Sequence, residues 1–252
     1  MIMNGYRKEY KYIVGDDVLL DVRNRISSIM RIDSHQTGDH YDIRSIYFDS
    51  DSYTCYRENA AGISTREKYR IRTYNHSSDK ISAEIKIRHR DTISKMATDI
   101  SPDLYETLVF GGPQATVEAL NRAIREARSS AGEAAADTQK VRVLEKYLAR
   151  FATENYRPAC IVGYERCAYV YDIGNVRITF DRNIYGSREY DRVFEDDLSG
   201  RPALTNNLHV LEIKYDEFLP EEIRYILGGL GLERSACSKY ALCLNTFIGG
   251  IQ

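Results

Sequence analysis

The sequence predicts an α+β protein whose sheet is largely antiparallel. Roughly eight runs are rich in β-formers and alternate at a period of two, and most are joined by turns. Helical segments are inserted between them, which suits an α+β architecture. The aromatic usage, 20 Tyr and no Trp, also leans towards sheet.

The elements follow in order. KEYKYIV at 8–14 alternates as a strand, and GDDVLLDVRNRISSIMRID has the apolar spacing and N-terminal acids of a helix. IRSIYFDS at 43–50 is a strand closed by Asp and Ser, and DSYTCYRENAAG one or two helical turns. Residues 68–90, KYRIRTYNHSSDKISAEIKIRHR, form a charged hairpin, and DTISKMATDIS is a strand after a turn near His89 to Asp91.

From Ser101 to Asn155 the period becomes helical, as an insertion at about 101–155 in one domain spanning 1–252. SPDLYETLVFGG carries a Ser cap, Pro at the first helical position and a Gly-Gly stop. PQATVEALNRAIREARS and VRVLEKYLARFATEN are further helices, separated by SAGEAAADTQK, a small, polar link. Strands return in RPACIVGYERCAYVYDI and GNVRITFDRNIYGS, joined by a tight Gly-Asn turn, and in HVLEIKYDE. LPEEIRYILGGLG and SKYALCLNTF are the closing helices.

Composition excludes several classes. A formal net charge of −2 gives the whole molecule no reason to seek nucleic acid or acidic membranes, so any anion site must be a local concentration of base. Five cysteines without CxxC spacing suggest reduced, mostly buried thiols. No run approaches a membrane span and the N-terminus lacks a signal-peptide core, so the expected compartment is the cytoplasm. The NHS at Asn75 has no bearing there. Walker A, G-x-G-x-x-G, G-x-S-x-G and H-E-x-x-H patterns are absent.

The charges decide the functional reading. Glu9 and Lys11, Glu84 and Lys86, and Glu212 and Lys214 each form E-x-K; Arg70 and Arg72 form R-x-R; Tyr164 and Arg166 form Y-x-R; Arg177, Thr179 and Asp181 form R-x-T-x-D. Side chains two apart share a face, so each strand carries its charges on one side. For a single strand that face ordinarily meets water. Here the opposite faces hold Tyr10, Tyr12, Ile71, Ile85, Ile87, Ile178, Phe180, Leu211 and Ile213, apolar enough to pack beneath helices. If helices cover that face and the sheet curls closed, the charges line a lumen. Such a lumen suits an anion of several charges, with Arg giving bidentate and Lys point contacts to phosphate and Glu holding a divalent cation.

EYKYIV, YRIRTY, AEIKIRHRDTISK, GYERCAYVY, VRITFDRNI, LEIKYD and SKYALCL, in this order over about residues 6–247, resemble VTC domains, the catalytic domain of the yeast-type vacuolar polyphosphate polymerase and its stand-alone bacterial relatives. The family belongs to the triphosphate tunnel metalloenzyme superfamily, with the CYTH-type triphosphatases and adenylyl cyclases. The resemblance implies a closed antiparallel β-barrel tunnel with helices outside, taking ATP and polyphosphate or triphosphate, with Mn²⁺ or Mg²⁺. It implies Lys11, Arg70, Arg72, Lys86, Lys95, Arg166, Arg177 and Lys239 as basic lining, and Glu212 as metal ligand. Glu9 and Glu84 share the expected lumen as further metal candidates, Lys214 as a lining or rim residue, and Tyr164 and Asp181 as wall supports. Arg88 and Arg90 are expected as solvated strand ends.

CYTH-type triphosphatases carry E-x-E-x-K, whereas position 7 here is Arg, which favours the VTC branch. The expected reaction is transfer of the terminal phosphoryl of ATP to a polyphosphate chain. Triphosphate hydrolysis, or polyphosphate or inositol-polyphosphate binding without turnover, are the alternatives. Fungal members work beside membrane-spanning proteins, so a membrane partner enters as an implication of the resemblance; the oligomeric state is open.

Overall fold

An amphipathic strand must bury its apolar face, and what covers that face fixes where the charges go. The computed structural model describes residues 7–36, 38–90, 92–129, 139–205 and 207–249. The strands are β1 (Lys8–Gly15), β2 (Arg31–Ile32), β3 (Tyr41–Asp49), β4 (Thr65–Tyr74), β5 (Ser77–His89), β6 (Thr92–Asp99), β7 (Arg157–Tyr171), β8 (Val176–Ser187), β9 (Arg201–Pro202) and β10 (Leu208–Tyr215). The helices are α1 (Asp16–Ile26), α2 (Thr54–Ala60), α3 (Pro102–Phe110), α4 (Pro113–Ser129), α5 (Gln139–Glu154), α6 (Glu221–Gly228) and α7 (Lys239–Ile248). The expected link over 130–138 lies outside the described residues.

The antiparallel ladder runs β1-β10-β8-β7-β3-β4-β5-β6, with β2 added on β7 and β9 on β8. It is an open path, so the expectation of a closed barrel is corrected. Its edges, β1 and β6, meet at one antiparallel bridge between Arg7 and Ile93, with N···O distances of 3.3 and 3.4 Å. Beyond that bridge a side chain reaches across the gap from the next strand in: Lys86 of β5 meets Glu9 of β1 at 2.8 Å. The sheet curls almost round, and an ion pair spans part of the seam where backbone pairing stops.

Two apolar cores hold it in that curl. Ile71, Ile85, Tyr69 and Phe48 pack with Leu120 of α4 and with Val141, Leu144, Tyr147 and Phe151 of α5. The Tyr147 hydroxyl donates to the Arg70 carbonyl at 2.7 Å, fastening α5 to β4. Tyr12, Ile178, Phe180, Leu211 and Ile213 pack with Leu19, Val22 and Ile26 of α1 and Ile223 of α6. Each large apolar side chain fully buried this way contributes roughly 1.5–3 kcal/mol, and the expected outer face is thereby the helix-covered one. Tyr10 and Ile87 lie only partly buried against these cores.

One helix departs from the expected outer layer. Tyr47 pairs in register with Arg70 and so shares its inner face, and the Tyr240 ring of α7 stacks on Tyr47 at 4.9 Å. α7 therefore lies inside the curl. Gly186 permits this approach, since a Cβ there would stand 2.9 Å from Cβ of Cys243. Space inside a curled sheet must be filled, and the apolar residues Tyr240, Cys243 and Leu244 do so at this end.

Local chemistry fixes the connections. Ser101 accepts from the Leu104 N–H at 3.2 Å with Pro102 opening α3, as the cap motif predicts. Gly174 and Asn175 have φ of 70° and 48°, and Asn75 and His76 have 49° and 56°, positive values that suit tight turns between twisted strands. Buried Asp49 accepts from the N–H groups of Cys55 and Tyr56 at 2.9 and 3.1 Å and from the Tyr240 hydroxyl at 2.7 Å, tying α2 and α7 to the end of β3.

Candidate functional site

The inner faces of β1, β4, β5, β7 and β10, with the segment before α7, line a cavity of about 130 Å³. Glu9, Lys11, Arg70, Arg72, Lys86, Tyr164, Arg166, Glu212, Lys214 and Lys239 all reach it. Their charges sort into separate groups, each built around acid.

Glu9 and Glu212 face four lysines. Lys86 donates to both Glu9 oxygens at 2.8 and 3.0 Å, and Lys11 lies 3.2 Å from Glu9 and 3.6 Å from Glu212. Lys214 is 3.6 Å from Glu9 and also contacts Glu212, and Lys239 is 3.9 Å from Glu212. Burial alone would raise the Glu9 carboxyl, and Glu212 adds to that, but Lys86, Lys11 and Lys214 together hold it well below the usual carboxylate range. Burial would likewise raise Glu212, and Lys214, Lys11, Lys239 and Lys86 outweigh it. Both acids are therefore anionic at neutral pH. Burial brings Lys86 down to about 7 against the pull of Glu9.

Arg70 donates through two nitrogens to Glu84, at 2.9 and 2.6 Å, and to the Tyr47 hydroxyl at 2.8 Å. Arg72 lies 3.7 Å from the same carboxylate and donates to Ser45 at 3.2 Å and to Tyr164 at 3.3 Å. Lys95 takes the other Glu84 oxygen at 2.9 Å. The fourth acid, Asp181, is fully buried; Arg166 holds both its oxygens, at 2.6 and 2.8 Å, and Lys239 stands 2.5 Å from one. Arg166 and Lys239 also lie over the Tyr164 ring, at 5.2 and 5.0 Å from its centre.

Three expected lining residues stand apart. Lys95 and Glu84 border a neighbouring cleft with Tyr74, Lys80 and Asp99, behind the Arg70–Glu84 pair. Arg177 is outside the main cavity, donating to Asp33 at 3.0 Å and to the Tyr41 hydroxyl at 3.0 Å. Arg88, expected as a solvated end, lines the cavity, whereas Arg90 is exposed.

Residues absent from the expected site also border it: Tyr47, Asn59, Arg66, Lys68 and Ser235 to Ser238. The signal for Arg66 and Lys68 was legible, because the period-two stripe of Arg70 and Arg72 continues back through them. Tyr47 and Asn59 had none, since they come from strand and helix positions joined to the site only by folding.

The same geometry limits how these acids could hold a metal. Among the described residues no three His, Cys, Asp or Glu side chains converge closely enough to form a metal site by themselves. Glu9 and Glu212 do face one another across Lys11. Glu212 Oε1 accepts no aligned hydrogen bond, and neither does buried Thr179 Oγ1, directly opposite on β8. Glu212, whose Oε1 meets Lys214 without an aligned hydrogen bond, is the carboxylate that fits an Mg²⁺-type ion, and Glu9 could join it only by exchanging the Lys86 ammonium that holds both its oxygens. Glu84 is engaged in the same way, its oxygens being taken by Arg70 and Lys95.

The model of the VTC domain matches residues 6–248, across both the cavity lining and the helices that bury the sheet. The chain belongs to the VTC domain family. No curated protein matches this VTC domain significantly. Similar solved structures include a protein from Pyrococcus horikoshii OT3, with a TM-score of 0.47 and 16% identity, covering 96% of this chain and 99% of that one. Proteins from Vibrio parahaemolyticus and Bacillus halodurans, each provisionally described as an adenylate cyclase, have TM-scores of 0.47 at 12% and 13% identity. They cover 94% and 92% of the VTC domain, and 97% and 92% of their own chains.

Proposed function

We propose that this VTC domain is a phosphotransferase of the polyphosphate polymerase type, moving the terminal phosphoryl of ATP to the end of a polyphosphate chain within the basic cavity. The observation that carries the reading is the inward-facing set of Lys and Arg on Glu9, Glu84, Asp181 and Glu212. Buried cations cost free energy unless compensated, and the internal acids leave enough excess base for a polyanion.

The chain offers no need for a protein nucleophile. The acceptor's terminal phosphate oxygen attacks the γ-phosphorus, the bond from that phosphorus to the bridging oxygen breaks, and ADP leaves with the electron pair. Arg70, Arg72 and Arg166 orient the equatorial oxygens with N–H donors already fixed by Glu84, Tyr164 and Asp181. Lys11, Lys86, Lys214 and Lys239 supply compact positive charge. A divalent cation held by Glu212 with Glu9 would neutralise charge on the phosphate oxygens. Arg7, where CYTH-type enzymes carry an acid, pairs with Asp216 at 2.9 Å and brings no third carboxylate.

Incubation with ATP and Mn²⁺ tests this directly. Growth of polyphosphate on a gel is expected, while phosphate release alone identifies a hydrolase. Tripolyphosphate binding without either identifies a binding module. Replacing Glu212→Gln is expected to abolish metal-dependent turnover while leaving metal-free tripolyphosphate binding intact; unchanged turnover removes Glu212 from the metal site.

A further inference from the structure

The lining cations are not all balanced by acid. Arg66 lies directly opposite Arg88 across the β4–β5 ladder, and Lys68 directly opposite Lys86. Two successive like-charge pairs therefore stand side by side on the inner face, an arrangement that destabilises a sheet. Only Lys86 has a carboxylate, Glu9. Lys68 is held by the neutral oxygens of Asn59 and Ser238, at 2.8 and 2.7 Å. Arg66 donates to the Ile63 carbonyl at 2.6 Å, and Arg88 to the Arg90 carbonyl at 2.8 Å. None of the three forms an ion pair with a described carboxylate, and Glu58 acts on Arg66 only at longer range.

The repulsion registers on the residues themselves. Burial first, then Arg88, pulls Arg66 below the ordinary guanidinium range. These residues occupy the cavity end beside Ile93, where the seam between β1 and β6 is bridged. A cavity that concentrates base without acid there, while giving its deeper lining cations a carboxylate, stores repulsion that an anion relieves.

We propose that Arg66, Lys68 and Arg88 form an outer anion subsite that takes the phosphates of a linear polyphosphate extending beyond the acid-balanced interior, and so gives the cavity a preference for longer chains. This rests on the reading of the interior as a phosphate site. Guanidinium groups with one donor on a carbonyl keep further donors for phosphate oxygens, and the paired Arg66 and Arg88 can grip neighbouring phosphates of one chain.

The test compares the unsubstituted chain with an Arg66→Gln/Arg88→Gln double variant. Binding of inorganic tripolyphosphate and of a size-fractionated longer polyphosphate is measured by calorimetry, with melting temperatures taken without ligand. The double variant is expected to lose about tenfold or more in affinity for the longer chain and little for tripolyphosphate. Its unliganded melting temperature is expected to hold or rise, since repulsion is removed; a merely structural role would lower it. Equal loss for both ligands, or no preference of the unsubstituted chain for the longer one, overturns the outer subsite. Failure of the unsubstituted chain to bind tripolyphosphate overturns the reading of the interior, and the outer subsite with it.

Discussion

The interior and the mouth of the cavity solve the same problem in opposite ways. Inside, Arg166 and Lys239 share Asp181, Arg70 and Arg72 meet Glu84, and Lys11, Lys214 and Lys239 meet Glu212. At the mouth, Arg66 faces Arg88 and Lys68 faces Lys86 with only one acid among them. The difference teaches that the arginines deepest in the cavity are preorganised on carboxylates, while Arg66 and Arg88 at its end rest on backbone carbonyls. Deep cations without counter-ions cost more than the partly exposed Arg66 and Arg88, whose remaining donors stay available to a ligand.

The contrast is broken most severely at Asp181. Replacing it by Asn leaves Arg166 and Lys239 buried without their carboxylate, and a loss of about 3–5 kcal/mol in denaturant unfolding is expected. A small loss would mean that the interior is wetter than its geometry implies. Next come Arg70→Ala and Arg72→Ala, each expected to weaken tripolyphosphate binding about 10- to 100-fold, as suits loss of a charged hydrogen bond. Unchanged affinity for both would exclude that wall as a phosphate site.

Lys68 sharpens the comparison through pH. Burial first, then Lys11 on β1, Lys86 on β5 and its strand neighbour Arg66, push its ammonium well below the ordinary lysine range, with Cys55 of α2 opposing. Its folded value being lowered, Lys68 loses its proton as pH rises through that lowered value. Affinity for polyphosphate is therefore expected to fall with rising pH. Lys68→Arg, which stays charged, should flatten the profile; an unaltered slope would assign the titration to another group. The smallest effect is expected at Arg177, outside the cavity and paired with Asp33, where Ala should change binding by less than about threefold. A large loss there would extend the site beyond the cavity.

The legible parts of the fold are those with a local period. Alternation located β1, β4, β5, β8 and β10, and the Ser-Pro and Gly-Asn signals located the start of α3 and the β7–β8 turn. Two-residue strands such as β2 and β9 escape because they carry no periodicity, existing only as pairing partners of β7 and β8. Within the site, Arg70, Arg72 and Lys86 share the cavity as their stripe implied, and Arg66 and Lys68 continue it. Arg177 lies on such a stripe too, but at the end of β8, where Asp33 and Tyr41 claim it.

The sequence by itself determined that β1, β4, β5, β8 and β10 each have one charged and one more apolar side, because side chains alternate at a period of two whatever the strand packs against. Which side faces inward was settled by α1, α4, α5 and α6, which bury the apolar side in two cores and leave the charges on the concave face. Tertiary structure alone also decided that the ladder stays open between β1 and β6, that α7 enters the curl, and which cations meet an acid. Those outcomes depend on contacts between residues far apart in the chain, such as Lys86 with Glu9 and Lys239 with Asp181, and no local period encodes such distances.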